Sequence, residues 1–146
     1  MSLFKRFFLL VGIFSIFNSC QNDDLGINNP FLVDIGIQID INTNLPQYSA
    51  LNFAGNAVIV NNVGLRGFVL YNIDNSQYVA YELSDPNHSP NDCSRMELTG
   101  ITLSCPCPND DNEYQIITGQ PTQGGGQYGL KPYRAVRSGD IIRVTN

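Results

Sequence analysis

The chain has 146 residues, of which 42% are hydrophobic, and this is enough for one domain with its own core. Charged residues make up only 14%, whereas 13 glycines and 8 prolines are typical of a turn-rich β protein rather than of a helical bundle or a disordered chain. The net charge is −5 and the 8 basic residues form no cluster, so nucleic acid is not an expected partner.

Residues 1–19 have the features of a lipoprotein signal peptide. Lys5 and Arg6 precede an apolar run at residues 7–17, which is too short to span a bilayer but long enough for a signal peptide. The run ends at Phe17-Asn18-Ser19-Cys20, which resembles a lipobox, where a small residue precedes a cysteine that accepts a lipid. We therefore expect an exported protein attached to a bacterial membrane by acyl chains on Cys20. An ordinary cleaved signal peptide with an incidental cysteine is the alternative.

Residues 20–31 are polar and predict a short tether to a folded domain at 32–146. Within the tether, the acidic segment 21–24 resembles the surface-sorting signals of some bacterial lipoproteins. Removal of residues 1–19 leaves 13 acidic and 6 basic side chains, so the mature chain is more acidic than the precursor. The expected partners are the membrane, through the lipid on Cys20, and an envelope protein of unknown identity.

Alternating hydrophobicity predicts that the domain is all-β. Residues 33–41 alternate apolar and polar side chains, which is the pattern of a strand with one solvated face. Further strands are predicted at 57–60, 67–71, 78–81, 101–103, 114–117, 130–136 and 141–144. Loops are predicted at 84–92 and 118–129, and no helix is predicted after the leader. Many short antiparallel strands indicate a small sandwich or barrel.

Three cysteines follow Cys20, and an exported chain is expected to pair the ones it can. Cys105 and Cys107 are too close in sequence for an easy bridge to each other. Cys93 is therefore expected to bond to one of them, and the residues alone do not decide which. The other thiol would remain free.

Several segments of the domain resemble the Rieske family, most strongly between residues 78 and 144 of the region 33–146. In chain order they are Tyr78-Val79-Ala80-Tyr81, Cys105-Pro106-Cys107, Tyr114, Thr118-Gly119, 130–136 and 139–144. In that family one loop carries Cys-x-His and a second carries Cys-x-x-His, with two cysteines on one iron of a [2Fe–2S] cluster and two histidines on the other.

The resemblance implies a Rieske-like all-β fold in which residues 85–119 form two inserted loops of the cluster-binding type. Respiratory members of the family have a disulfide between these loops. Carried over position by position, this implies a bridge between Cys93 and Cys107, and it leaves Cys105 at a retained iron-ligand position.

The sequence departs from the family at the other ligand positions. Asp85 and Asn87 stand where Cys-Pro-His is expected in the first loop, with His88 displaced by one residue. Pro108 stands at the histidine position of the second loop, and proline has no side-chain donor for a metal. The whole chain contains one histidine, whereas a Rieske cluster needs two. No cofactor is therefore expected, and a non-standard [2Fe–2S] centre is the alternative.

Other chemistry has weaker support in the sequence. A mononuclear zinc or copper site from Asp85, His88, Cys105 and Cys107 would suit these metals, but it excludes the Cys93–Cys107 bridge. The acidic segment 109–113 lacks the ligand spacing of a calcium loop and is expected to be solvated. The glycines at 124–126 have no following helix or lysine to bind phosphate, and no hydrolase motif is present.

These observations lead to two hypotheses about function. The first is a lipid-anchored, non-enzymatic Rieske-like protein without a standard iron–sulfur cluster, serving as a binding or structural module of the cell envelope. The second is an electron-transfer protein with a non-standard [2Fe–2S] or mononuclear metal centre. The second requires Asp85, His88 and Cys105 to converge on one point.

Overall fold

The structure is a computed structural model that describes residues 29–146. The predicted signal peptide, Cys20 and the tether up to residue 28 lie outside the described residues. Within the described range, no helix has the length and apolar character needed to cross a membrane.

The described chain folds into antiparallel strands and one 3-10 helix, Pro46–Asn52. The strands are β1 (Gln38–Asn42), β2 (Ala57–Val60), β3 (Phe68–Asn72), β4 (Tyr78–Glu82), β5 (Glu97–Thr99), β6 (Thr102–Ser104), β7 (Glu113–Gln115), β8 (Pro121–Gln123), β9 (Pro132–Ser138) and β10 (Ile141–Thr145). They form a six-stranded sheet in the order β1-β10-β9-β4-β3-β2 and a four-stranded sheet in the order β5-β6-β7-β8. The predicted all-β class is confirmed.

Strand β3 lies between two hydrophobic cores, and all five of its residues are therefore buried. Phe68 and Leu70 face one core, which they share with β1, β9 and β10 and with Leu51 of the 3-10 helix. Val69 and Tyr71 face a second core, which lies against the four-stranded sheet. A strand buried on both faces has a continuous apolar run, as residues 67–71 do.

Two loops extend from this framework and form the tip of the molecule. The first tip loop, residues 83–96, connects β4 to β5, and a bridge between Ser84 and Arg95 closes its base. The second tip loop, residues 105–112, connects β6 to β7, and the Cys105 N–H donates to the Asn112 carbonyl at its base, 3.0 Å away. This is the Rieske-like arrangement expected from the sequence, with two loops inserted from a smaller sheet.

The predicted strand 33–41 is wrong in its first half. Strand β1 begins at Gln38, and Val33 is 65% exposed. The reason is the length of the partner strand, since β10 ends at Thr145, opposite Gln38. Upstream of Gln38 the backbone is bonded to the side chain of Asn146, whose amide oxygen accepts from the Ile37 N–H and whose amide nitrogen donates to the Ile35 carbonyl.

Two other predictions also differ from the structure, and the end of the predicted tether contacts the domain. The 3-10 helix occupies 46–52, where no helix was predicted, and β8 lies inside the segment 118–129 that was predicted as loop. The last residues of the predicted tether, 20–31, contact the domain: the Asn29 amide donates to the Pro86 carbonyl at 2.7 Å, and the Phe31 ring packs edge-on against Tyr128. The chain therefore reaches the domain at its tip.

Candidate functional site

The two tip loops are joined by a disulfide between Cys93 and Cys107, whose Cα atoms are 5.0 Å apart. This is the pairing that the Rieske resemblance implies, and it leaves Cys105 as the free cysteine of the described residues. Because a metal ligand must be a thiolate, the oxidised Cys107 is not available. The alternative of a zinc or copper site with Cys107 as a ligand is therefore incompatible with the bridge.

Four other side chains of the tip converge on one point. Their ligand atoms all lie within 4.8 Å of one another, and the residues are Asp85, His88, Cys105 and Asp110. His88 Nε2 lies 3.3 Å from Cys105 Sγ, 3.2 Å from Asp110 Oδ2 and 4.0 Å from Asp85 Oδ2. The convergence of Asp85, His88 and Cys105 that the second hypothesis requires is therefore present.

Asp85 is fully buried and is oriented by three donors. Its Oδ1 accepts from the Asn87 N–H at 2.7 Å and from the Tyr114 hydroxyl at 3.0 Å. Its Oδ2 accepts from the Asn112 amide at 3.3 Å and faces His88. Burial, and to a lesser extent the charge of Asp85, raises the pKa of Tyr114, so this hydroxyl remains a donor to the carboxylate.

The other ring nitrogen of His88 faces a backbone carbonyl. Nδ1 lies 3.1 Å from the Ser89 carbonyl, which can only accept, so a proton on Nδ1 completes a hydrogen bond there. In the neutral imidazole, Nε2 then has a free lone pair that points toward Cys105 and the two carboxylates. Metal-binding histidines have the same arrangement, with the distal N–H donated to a carbonyl or carboxylate.

Cys105 is 7% exposed and lies at the start of the second tip loop. Burial raises the pKa of its thiol to about 12, and the charges of Asp85 and Asp110 contribute to the increase. The thiol is therefore protonated at neutral pH when no cation is bound. Such a cysteine is not an activated nucleophile, which agrees with the absence of a basic neighbour in the sequence.

The degenerate ligand positions Asn87 and Pro108 do not fit a Rieske cluster. The Asn87 side chain is fully used, because its amide nitrogen donates to the Tyr114 hydroxyl and the Tyr128 carbonyl and its oxygen accepts from the Tyr128 N–H. A Cβ at Gly126 would collide with this amide, so the backbone at Gly126 lies directly against it. Pro108 offers no ligand, and the chain has one histidine, so its residues do not fit a [2Fe–2S] cluster of the Rieske type.

Sequence reasoning did not identify Asp110 or Asn112 as site residues. Both belong to the segment 109–113, which was predicted as a solvated acidic loop, yet Asn112 is 8% exposed and Asp110 contacts His88. The available signal was the position of the acidic segment directly after Cys105-Pro106-Cys107, inside the loop that carries ligands in the Rieske family. An open groove of about 800 Å³ adjoins the cluster, with Phe31, His88, Asp110 and Tyr128 among its lining residues.

No protein-family model and no curated protein matches the sequence. Several solved structures are similar to the chain, among them these two. One is the complex of reduced oxygenase and oxidized ferredoxin in carbazole 1,9a-dioxygenase, which matches at 18% identity and a TM-score of 0.48, covering 77% of this chain and 94% of that chain. The other is the ferredoxin of carbazole 1,9a-dioxygenase from Nocardioides aromaticivorans IC177, at 13% identity and a TM-score of 0.47, covering 76% of this chain and 97% of that chain.

Proposed function

We propose that the mature chain is a lipid-anchored Rieske-like module that has no [2Fe–2S] cluster and that binds an envelope protein. One observation carries the cluster-free part of the proposal: neither of the two positions that carry histidine ligands in the Rieske family, 87 and 108, has a histidine in this chain. Asn87 is committed to Tyr114 and Tyr128, and Pro108 has no donor.

The spacing of the remaining donors supports the same conclusion. The terminal ligands of a two-iron centre lie at opposite ends of the cluster, separated by the iron–iron distance and a bond length at each end. The four donors of the tip lie within 4.8 Å of one another and surround one point. This arrangement disfavours the alternative of an electron carrier with a two-iron centre.

The cluster-free proposal is tested by metal and sulfide analysis of the full chain purified from membranes in mild detergent under anaerobic conditions. We expect no stoichiometric iron, no acid-labile sulfide and no visible absorption. Two irons and two sulfides per chain would refute the proposal and support the electron carrier.

The lipid anchor is tested by metabolic labelling of a bacterium that expresses the full chain with a radioactive fatty acid. We expect label on the wild-type protein, and the variant Cys20→Ser should lose both the label and the membrane fractionation. Cys105→Ser is the matched control, because it removes the cysteine that is free among the described residues. A labelled Cys20→Ser protein, or an unlabelled wild type, would refute the anchor.

A binding role for the module is supported by two features of the described residues. The tip lacks an activated nucleophile, and the open groove beside it is lined by side chains of both loops and of the segment 124–128. The acidic mature chain favours a protein partner over nucleic acid. Site-specific photocrosslinking tests this role, with the crosslinker placed at Ser89 and, as a control, at Glu97 on β5. We expect a single adduct with a partner protein from Ser89 alone. Equal adducts from both positions would contradict the binding role.

A further inference from the structure

We propose that the tip binds one divalent cation of the zinc class through four side chains: Asp85, His88, Cys105 and Asp110. The site would be new for this chain, because the family's cluster uses two irons and a different donor set. It goes beyond the proposed function and does not depend on the lipid anchor.

The donor set suits zinc. Zinc is bound by cysteine sulfur, imidazole nitrogen and carboxylate oxygen, with bonds of roughly 2.0–2.3 Å in a tetrahedron. Those bond lengths place neighbouring ligand atoms roughly 3.3–3.8 Å apart. The distances from His88 Nε2 to Cys105 Sγ and to Asp110 Oδ2 are 3.3 and 3.2 Å, and the distance to Asp85 Oδ2 is 4.0 Å.

Hydrogen bonds on the far side orient three of the four donors. His88 Nδ1 faces the Ser89 carbonyl, so Nε2 points inward. In both carboxylates Oδ1 accepts a backbone N–H, from Asn87 for Asp85 and from Asn112 for Asp110, and Oδ2 faces the centre. Partners of this kind hold metal ligands in position and raise their affinity for the metal.

Two carboxylate oxygens lie close together at the centre of the site. They face His88 Nε2, with the Cys105 sulfur beside them. Asp85 is fully buried, so its charge is little screened by solvent. A divalent cation contacts all four atoms at once and offsets the carboxylate charges.

Four protein donors fill a tetrahedral coordination sphere, so the site is a closed structural site rather than a catalytic one. It joins the first tip loop, through Asp85 and His88, to the second, through Cys105 and Asp110. The cation therefore acts beside the Cys93–Cys107 bridge and holds the same two loops together. Entry from solvent is available, because His88 and Asp110 retain 25% and 17% exposure and line the groove.

Titration with Zn²⁺ and Co²⁺ tests the site. The full chain in detergent is stripped with a chelator and titrated by calorimetry with ZnCl₂ and by absorption with CoCl₂. We expect one ion per chain, together with a thiolate-to-cobalt charge-transfer band and strong visible bands of tetrahedral cobalt. Asp110→Asn should weaken zinc binding by at least about tenfold, because loss of a residue that only orients a metal ligand already costs that much.

Asp111→Asn is the matched control, because Asp111 is exposed in the same loop and is not among the converging residues. It should bind zinc like the wild type. Cys105→Ser and His88→Ala should abolish the cobalt charge-transfer band and the zinc binding, respectively, while circular dichroism shows a folded domain. No zinc binding, equal losses in Asp110→Asn and Asp111→Asn, or a cobalt spectrum unchanged in Cys105→Ser would overturn the proposal.

Discussion

Two buried carboxylates, Glu82 and Asp85, lie three residues apart, yet their surroundings differ. Glu82 accepts four hydrogen bonds: from the Leu65 and Arg66 N–H groups at 2.9 and 2.8 Å, from the Ser84 N–H at 3.1 Å and from the Tyr133 hydroxyl at 2.7 Å. Asp85 accepts three, and its Oδ2 also faces three other potential ligands. Both side chains are fully buried.

The comparison separates a structural carboxylate from a candidate ligand. Glu82 is enclosed by donors and holds the segment 64–66 against β4 and β9. This segment approaches so closely that a Cβ at Gly64, which has a φ of +72°, would collide with the Glu82 carboxylate. Asp85 is bonded on one side and open toward His88 on the other. Asp85 therefore differs from Glu82 in facing other potential ligands and not in lacking hydrogen bonds.

The largest effect is expected from Glu82→Ala. This change leaves the Tyr133 hydroxyl and buried N–H groups without an acceptor, and we expect a loss of about 3–5 kcal/mol of unfolding free energy in urea titrations. Glu97→Ala, at an exposed position on β5, should change stability by less than about 0.5 kcal/mol. Equal losses of unfolding free energy in the two variants would show that the hydrogen bonds of Glu82 do not stabilise the fold.

The disulfide is expected to be the next largest contribution. Replacing both Cys93 and Cys107 by serine removes a cross-link between residues that are 14 positions apart in the sequence. The free energy of unfolding should fall by about 3 kcal/mol. Hydrogen exchange should show the loss of protection mainly in the two tip loops, and not in β9 and β10. Uniform loss of protection over the whole domain would contradict a local role for the bridge.

In the presence of a chelator, Asp85→Asn should lower the free energy of unfolding by less than Glu82→Ala does. The amide keeps an oxygen for the Asn87 N–H and the Tyr114 hydroxyl, and the change removes one of two facing carboxylates, so we expect a loss of about 1 kcal/mol. With excess Zn²⁺ the difference between Asp85→Asn and the wild type should widen, because the wild type gains from binding. A difference independent of zinc would make Asp85 a second structural carboxylate.

The smallest effect at neutral pH concerns Tyr133, which donates to Glu82. Burial, and then the hydrogen bond and charge of Glu82, raise the pKa of Tyr133 above its ordinary value of 10.0. The folded state therefore holds this proton more tightly than the unfolded state does, so stability is full below about pH 10 and falls above it. Tyr133→Phe should flatten this alkaline decrease in chemical denaturation series. An unchanged pH profile would show that the Glu82 cluster does not control alkaline stability.

More of the framework than of the tip could be predicted from the sequence. Apolar runs such as 67–71 and the hairpin around Gly139 report local patterns, and the structure places strands close to these positions. Strand ends were predicted less well: the alternation from Val33 continues past the end of β10, and pairing, not alternation, decides where β1 begins. The short β8 lies among glycines and carries no periodic signal.

The sequence indicated candidate site residues only at or near positions that carry iron ligands in the Rieske family. Asp85, His88 and Cys105 were found because they stand at or near ligand positions of the Rieske family. Asp110 was missed because its role depends on how the second tip loop folds back on His88, which no local pattern reports. Asn112 looked solvent-exposed in sequence, but its amide is needed inside the tip as a donor to Asp85.

If Cys20 carries the proposed lipid, the contact of Asn29 with Pro86 limits how far the tip can lie from the membrane. Cys20 is nine residues before Asn29, and a fully extended segment of that length reaches about 30 Å. A lipid on Cys20 would therefore keep the loop end of the domain within about 30 Å of the bilayer surface. A partner that binds the tip of the anchored domain would then have to do so within about the same distance of the bilayer.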